Sequence, residues 1–371
     1  MASMGRTKLF TFISAITLIS SLYSEPYSVQ PELIDTVLME DYRRVWGSPD
    51  GAFFLQKKSA VEIRQYPSTE FRNINYKANQ KFISSERGNY YALISYSNFL
   101  PTQLQVTGIS VYDRTGNVVW TNPQPGCSAF ILSDHAPIAV GIEGAEGFAE
   151  SRLIFFNSSG EVVGSTKVQN FYNGQFSENG EAFFGITGTG ILKKFSNTGR
   201  EVRDYGAATR YYSSFDAALV AVVADTATRI YSGDTLLTAW PSAARSLREV
   251  RFSRDNRLVA ALYGDRFDVY DITAGNMVAQ HTMDDAAYRF FHFDADPNFS
   301  YFVCSASNAA DSPEIKNTKG RIMLLSAGGN LLWGEEVAYE DWSVRYPDVK
   351  IDTNSRVVSM LTPTTLQIFK F

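Results

Sequence analysis

The sequence predicts an all-β chain folded as a β-propeller of about eight four-stranded blades, seven being the alternative count, closed by strands from its two ends. Three observations carry this expectation. A pattern of strands and tight turns recurs at a spacing of roughly forty residues across 41–371. Turn-forming residues fall at the same places in each recurrence. The composition, 44% hydrophobic with 26 Phe and 20 Tyr in 371 residues, suits strands whose flat side chains pack between sheets.

The clearest unit, VRFSRDNRLVAALYGDRFDVYDITAGNMVAQ, runs from Val250 to Gln280. It reads as a strand from Glu249 to Ser253, a turn at Arg254-Asp255-Asn256, and a strand from Leu258 to Tyr263. A turn at Gly264-Asp265, a strand from Phe267 to Asp271 and a short outer strand from Met277 to Gln280 complete it. The same order recurs in 85–120, 130–164, 176–203, 215–240 and 293–333, with a first unit from Trp46 to Tyr66 and a last one ending at Phe371. Asp50-Gly51, Asn179-Gly180 and Asp255-Asn256 supply residues that tolerate left-handed backbone in the first hairpin. Gly116, Gly160, Gly199 and Gly329 mark the later turn, each followed by apolar residues. One blade cannot bury both faces of its sheet, whereas stacking blades in a closed ring does. The last unit lacks an outer strand, so a segment between residues 29 and 45 is expected to supply it. Two packed β-sandwiches are the competing architecture.

Residues 1–24 read as a secretory signal peptide. Arg6 and Lys8 precede an apolar stretch from Leu9 to Leu22, with Ser20, Ser21 and Ser24 offering cleavage points. That stretch is short for a bilayer span, which needs about twenty residues. Residues 25–40 form a linker or the closing strand, and 41–371 form one propeller domain. No transmembrane span is expected in the mature chain, and the address is periplasmic or extracellular. The net charge is −5 with both signs interspersed and no long basic run, so nucleic acid is not expected as a partner. An oxidising compartment permits a disulfide between Cys127 and Cys304, although Cys304 also reads as a small buried thiol in an apolar run.

The ending Gly116-Asn117-Val118-Val119-Trp120, repeated as Gly329-Asn330-Leu331-Leu332-Trp333, resembles the repeats of quinoprotein-like propellers. Ser48-Pro49-Asp50-Gly51 resembles the hairpin turn of WD40-like and TolB-like propellers. The resemblance covers most of 41–371 and implies the fold. It extends both to dehydrogenases that use pyrroloquinoline quinone and to non-catalytic scaffolds that assist outer-membrane protein assembly. The dehydrogenases often set adjacent cysteines against the quinone; this chain has no adjacent pair, so no cofactor is expected.

Motifs for other chemistry do not assemble. The three histidines, His135, His281 and His292, have no metal-ligand spacing. Gly108-Ile109-Ser110 starts a nucleophile-elbow pattern but continues as a strand, and the Gly-rich run at 185–190 reads as a hairpin turn. Asp284-Asp285 and Glu335-Glu336 read as solvated acidic pairs. Asp294, Asp296 and Asn298 alternate as oxygen ligands do in a calcium loop, but lack the glycine and distal glutamate of an EF-hand. They are the weak candidates for a metal site.

The leading functional expectation is an exported, non-catalytic propeller of the cell envelope or secreted fraction. Its partner would be another protein or an envelope component. The longer insertions Asn98 to Thr107, Glu143 to Ser151 and Asn308 to Lys319 are its candidate contact loops. The alternative is an enzyme, either a quinone-dependent dehydrogenase or a carbohydrate-active hydrolase or lyase. Its carboxylates would converge from several blades at the channel mouth.

Overall fold

Among the described residues there are eight antiparallel four-stranded sheets, seven with their strands in chain order and the eighth completed by a strand from the other end of the chain. The computed structural model describes residues 29–40, 42, 44–47, 52–68, 71–97, 106–144, 150–224, 227–241, 247–308, 318–339, 348–352, 354 and 356–371. Blade 1 comprises Arg44–Gly47, Ala52–Gln56, Ala60–Gln65 and Phe71–Asn75; blade 2, Gln80–Ser84, Tyr90–Tyr96, Val106–Asp113 and Val118–Asn122. Blade 3 comprises Ala129–Leu132, Ala139–Glu143, Ser151–Phe156 and Val162–Val168; blade 4, Phe171–Phe176, Ala182–Thr187, Ile191–Ser196 and Glu201–Ala207. Blade 5 comprises Arg210–Ser213, Leu219–Val223, Ala227–Ser232 and Thr235–Pro241; blade 6, Leu247–Phe252, Leu258–Tyr263, Arg266–Asp271 and Asn276–Thr282. Blade 7 comprises Arg289–Ala295, Tyr301–Ser307, Thr318–Ser326 and Leu331–Tyr339. Blade 8 takes Asp348–Asp352, Val357–Leu361 and Thr365–Lys370 from the C-terminal end and its fourth strand, Glu32–Leu38, from the N-terminal end.

The closing strand runs antiparallel to the last one, with Leu33 opposite Phe369 and Leu38 opposite Thr365. Val37 and Met39 pack with Phe53 and Leu55 of blade 1 and with Leu366 and Ile368 of blade 8, sealing the ring by burial. The Asp35 carboxylate accepts hydrogen bonds from Arg64 at 3.2 Å and from the Tyr66 hydroxyl, both in blade 1. The expectation of eight blades closed non-covalently from residues 29–45 is met.

The repeat is legible because two turns are chemically fixed. The first hairpin of five blades starts on a buried serine: Ser85, Ser133, Ser177, Ser214 or Ser253. In four of them its Oγ accepts the N–H five residues on, as from Ala182 at 3.1 Å, Leu219 at 3.0 Å and Leu258 at 2.8 Å. In the first hairpins of blades 2 and 4 to 7 the fourth residue takes positive φ: Gly88, Gly180 and the non-glycines Ala217 (56°), Asn256 (61°) and Phe299 (58°). The turn from third to fourth strand begins on Asp113, Asn157, Ser196 or Ser326, each accepting the N–H four residues on.

Glycine in that second turn does two jobs. Gly160 sits at φ 80°, and a Cβ there would come within 2.6 Å of the Trp120 ring of the preceding blade. Trp120 stacks on Phe156 at 6.1 Å and donates its Nε1 hydrogen to the Pro137 carbonyl at 2.5 Å. Trp333 likewise packs on Phe369 of blade 8 at 5.0 Å. The Gly-x-x-x-Trp grammar is therefore a contact between neighbouring blades. In blades 2–7 the rim strand carries an extra residue at its second or third position (Val119, Val163, Val202, Leu237, Val278 and Leu332). Such bulges bend the outer edge away from further strand pairing.

The core lies between blades. Leu262 and Phe267 of blade 6, for example, meet Phe290, Phe302 and Met323 of blade 7. Cys127 belongs to the core between blades 2 and 3 and Cys304 to that between blades 6 and 7; both are buried and unpaired. The disulfide expected as possible in an oxidising compartment is not formed, and burial pushes the Cys127 thiol up to about 12. No described helix is long and apolar enough to cross a membrane. The proposed signal peptide, the Asp50-Gly51 turn and most of the three candidate loops lie outside the described residues.

Candidate functional site: the central channel

The first strands of successive blades pack against one another, which places them at the axis. Along each, side chains alternate. The residue three before the hairpin's starting polar residue is buried between blades, as are Phe82, Phe130, Tyr211, Val250, Phe293 and Val349. Residues two and four before it line the axis. In blade 2 these are Lys81 and Ile83; in blade 3, Ala129 and Ile131; in blade 4, Asn173 and Gln175. In blades 5 to 8 they are Arg210 and Tyr212, Glu249 and Arg251, His292 and Asp294, and Asp348 and Lys350. Blades 3 and 4 thus carry apolar or neutral residues at these positions, and blades 5 to 8 carry charged ones.

The charged arc is a built network. Arg251 pairs with Asp294 Oδ1 at 2.7 Å and donates through Nε and a terminal nitrogen to Glu249 Oε1 at 3.1 and 3.0 Å. The remaining oxygens cap the exposed edge of the next blade's first strand. Glu249 Oε2 accepts the Phe293 N–H at 3.2 Å, and Asp294 Oδ2 accepts the Ile351 N–H at 3.0 Å. These amides would otherwise face the axis without a strand partner. Burial opposes the Arg251 charge, but Asp294 and Glu249 outweigh it and hold the guanidinium protonated. Lys350 behaves alike: burial lowers its affinity for a proton, while Asp348 and Asp294 raise it more. Arg210 donates to the Leu247 and Arg248 carbonyls at 2.6 and 2.9 Å, and the Tyr212 hydroxyl donates to the Arg248 carbonyl at 2.9 Å. His292 stands 4.0 Å from Glu249.

The three candidate calcium ligands have separate duties here. Asp294 is engaged with Arg251 and Ile351, as above. Asp296 takes the place held by serine in other blades and accepts the Tyr301 N–H at 2.6 Å and the Asn298 N–H at 3.2 Å. Asn298 is an exposed turn residue. A cation drawing on all three would compete with a guanidinium and three backbone amides. Among the described residues no group of three or more His, Cys, Asp or Glu side chains is arranged for a metal.

The other marked residues also find structural places. Ser110 lies within a strand and residues 188–190 form a hairpin turn. Asp284 and Glu336 both pair with Arg321, at 3.1 and 2.6 Å, and His281 shares a hydrogen bond with the Gly329 carbonyl at 3.1 Å. Glu249, Arg251 and Lys350 did not stand out in the sequence. Their signal was available: each falls two or four positions before the polar residue that starts a first hairpin.

These features define the chain as an eight-bladed β-propeller with a channel charged along one arc. No protein-family model matches the sequence, and no curated protein matches it. Among solved structures it is similar to the C-terminal WD40 domain of Sif2 (TM-score 0.59, 10% identity, covering 92% of this chain and 98% of that one). It is also similar to a eukaryotic initiation factor (TM-score 0.53, 12% identity, covering 84% and 90%) and to BamB from Moraxella catarrhalis (TM-score 0.52, 9% identity, covering 92% and 100%). At such identities the likeness shows the fold, which accords with the WD40-like and quinoprotein-like resemblance of the repeats.

Proposed function

We propose that this protein is an exported, non-catalytic scaffold of the cell envelope or secreted fraction that holds a protein partner on one face of its ring. One topological observation carries the reading. The three longest links within blades (97–105, 144–150 and 308–317) all join a second strand to a third, so all leave the ring on the same face. Propellers commonly recognise partners through loops gathered on a rigid ring. The channel chemistry supports the same choice, because the carboxylates of Glu249 and Asp294 are engaged with Arg251 and backbone amides rather than poised for acid–base work. Export rests on the basic and apolar pattern of residues 6–22.

The test is native mass spectrometry of the protein recovered from its host's envelope and secreted fractions, beside a variant with the three long links trimmed. The expected result is a mature chain beginning near residue 25 that carries a partner, with the partner lost on trimming. A partner retained by the trimmed variant overturns the contact face; a bound cofactor mass overturns the non-catalytic assignment.

A further inference from the structure

The N-terminal segment closes the ring across three blades. The Val29 N–H points to the Leu332 carbonyl of blade 7 at 3.4 Å, strand Glu32–Leu38 completes blade 8, and the Met39 N–H donates to the Thr364 carbonyl at 2.9 Å. The Tyr42 hydroxyl then donates to Glu62 of blade 1 at 3.1 Å. Each of the other seven rim strands follows the third strand of its own sheet through a short turn, whereas Glu32–Leu38 is held in its sheet by non-covalent contacts alone. Val37 is its one buried residue, and Leu33 and Leu38 stay 49% and 63% exposed.

The residue after the rim bulge reaches toward the next blade. In blades 2 and 7 it is Trp120 and Trp333, which pack on Phe156 and Phe369. In the closing strand the bulge falls at Ile34, and the same place is taken by Asp35. Its carboxylate meets Arg64 and the Tyr66 hydroxyl of blade 1, so a charge holds this seam where an aromatic ring holds those two.

That charge can leave without stranding its partners. Arg64 also donates through Nε to the buried Glu62 at 2.5 Å, and Glu62 accepts a further bond from Lys57 at 3.0 Å. Desolvation works to raise Glu62, but the bonds from Arg64 and Lys57 outweigh it and keep the carboxylate ionised. With Asp35 withdrawn, Arg64 retains a carboxylate inside blade 1, and no buried charge is left alone. Asp35, whose side chain is already 33% exposed, returns to water. Withdrawing a tryptophan from its seam would instead open a cavity. The cost of release is the unpaired backbone edge of Thr365–Lys370, which keeps the open form a minor state.

We propose that residues 29–38 form a strap that opens as a unit, hinged at 39–42 and latched by Asp35, while the rest of the ring stays closed. The bond from Tyr42 to Glu62 fixes the hinge to blade 1. The open form presents the free edge of strand Thr365–Lys370.

Hydrogen exchange of the full chain, followed by mass spectrometry, tests the strap. Peptides from 29–38 are expected to exchange about tenfold faster than the rim strand Val162–Val168, which is tethered by a turn. Asp35→Asn is expected to speed 29–38 about a further tenfold and Tyr66→Phe about threefold. Val162–Val168 and the other blades stay protected at their original rates in both variants, which also shows that each is folded. A strap that exchanges no faster than Val162–Val168 overturns the proposal. So does Asp35→Asn that leaves 29–38 unchanged, or that speeds every blade together. Should Asp35→Asn fail to fold, Tyr66→Phe carries the comparison with the same outcomes.

Discussion

On one face of the ring the connections are nearly uniform. First hairpins at 85–89, 177–181, 214–218, 253–257 and 296–300 share one length, and turns at 114–117, 197–200, 272–275 and 327–330 share another. On the opposite face, links from second to third strand run from 264–265 in blade 6 to 308–317 in blade 7. The difference follows from what each turn must satisfy. Most first hairpins house a buried polar side chain and a left-handed residue, and the third-to-fourth glycines pack on the preceding blade, Gly160 on Trp120, Gly199 on Phe155 and Gly116 on Arg72. The opposite links differ in length from blade to blade. The uniform face holds the fold, and the variable face is free to diversify.

The comparison breaks most sharply at Gly160. Gly160→Val forces a β-branched residue to φ 80° and drives its Cβ into the Trp120 ring. Strain and overpacking together should cost about 3–5 kcal/mol. Four residues inserted between 308 and 317 should cost about 0.6 kcal/mol or less, because closure entropy grows slowly with length. Urea melts of the two variants compare them directly. If the insertion costs as much as Gly160→Val, the two faces are not built differently.

A serine on each face gives a finer contrast. Ser253 Oγ accepts from the Leu258 N–H at 2.8 Å and donates to Asp255 at 2.6 Å, fully inside the turn. Ser253→Ala leaves that N–H without its partner and should cost about 1–3 kcal/mol. Ser59 is exposed on a short link of the other face, and Ser59→Ala should stay within about 0.5 kcal/mol.

Much of this was legible in sequence, for a physical reason. Asp255-Asn256, Gly160 and Trp120 are conspicuous because few residues tolerate positive φ or fill an interblade gap, so the repeat shows through its constraints. The sequence places strands at 249–253, 258–263 and 267–271, and the observed strands are Leu247–Phe252, Leu258–Tyr263 and Arg266–Asp271. The channel was less legible. Glu249 meets Phe293 across 44 residues and Asp294 meets Ile351 across 57, pairings that exist only once the ring is closed. Asp296 was ambiguous because the same oxygen geometry that attracts calcium also caps a hairpin.

Acid should loosen the uniform face. Desolvation works to raise Asp113, but its bonds from Thr115 and Asn117 hold it below the usual carboxylate range. Asp216 is likewise lowered, against desolvation, by the Ala218 amide and Asn256, and Asp255 is lowered by Ser253 and the Arg257 amide. With folded values below unfolded ones, each contributes stability that is complete above the unfolded value. That contribution is lost as pH falls from about 4 through the folded values. Melting temperatures from pH 7 to 2.5 should show the decline, flattened in a triple Asp→Asn variant at these positions. An equally steep decline in that variant would move the acid sensitivity elsewhere.

The smallest effect tests strain within the turns themselves. Ala217 holds φ 56° at a place where blades 2 and 4 use Gly88 and Gly180. A left-handed alanine costs about 1–2 kcal/mol. Ala217→Gly removes that cost but gives up a buried methyl group and adds freedom to the unfolded chain, each worth a fraction of it. The balance favours glycine, so the variant should be more stable by up to about 1 kcal/mol. A destabilised variant would mean that the methyl's packing with Ala182 and Val220 outweighs the backbone strain.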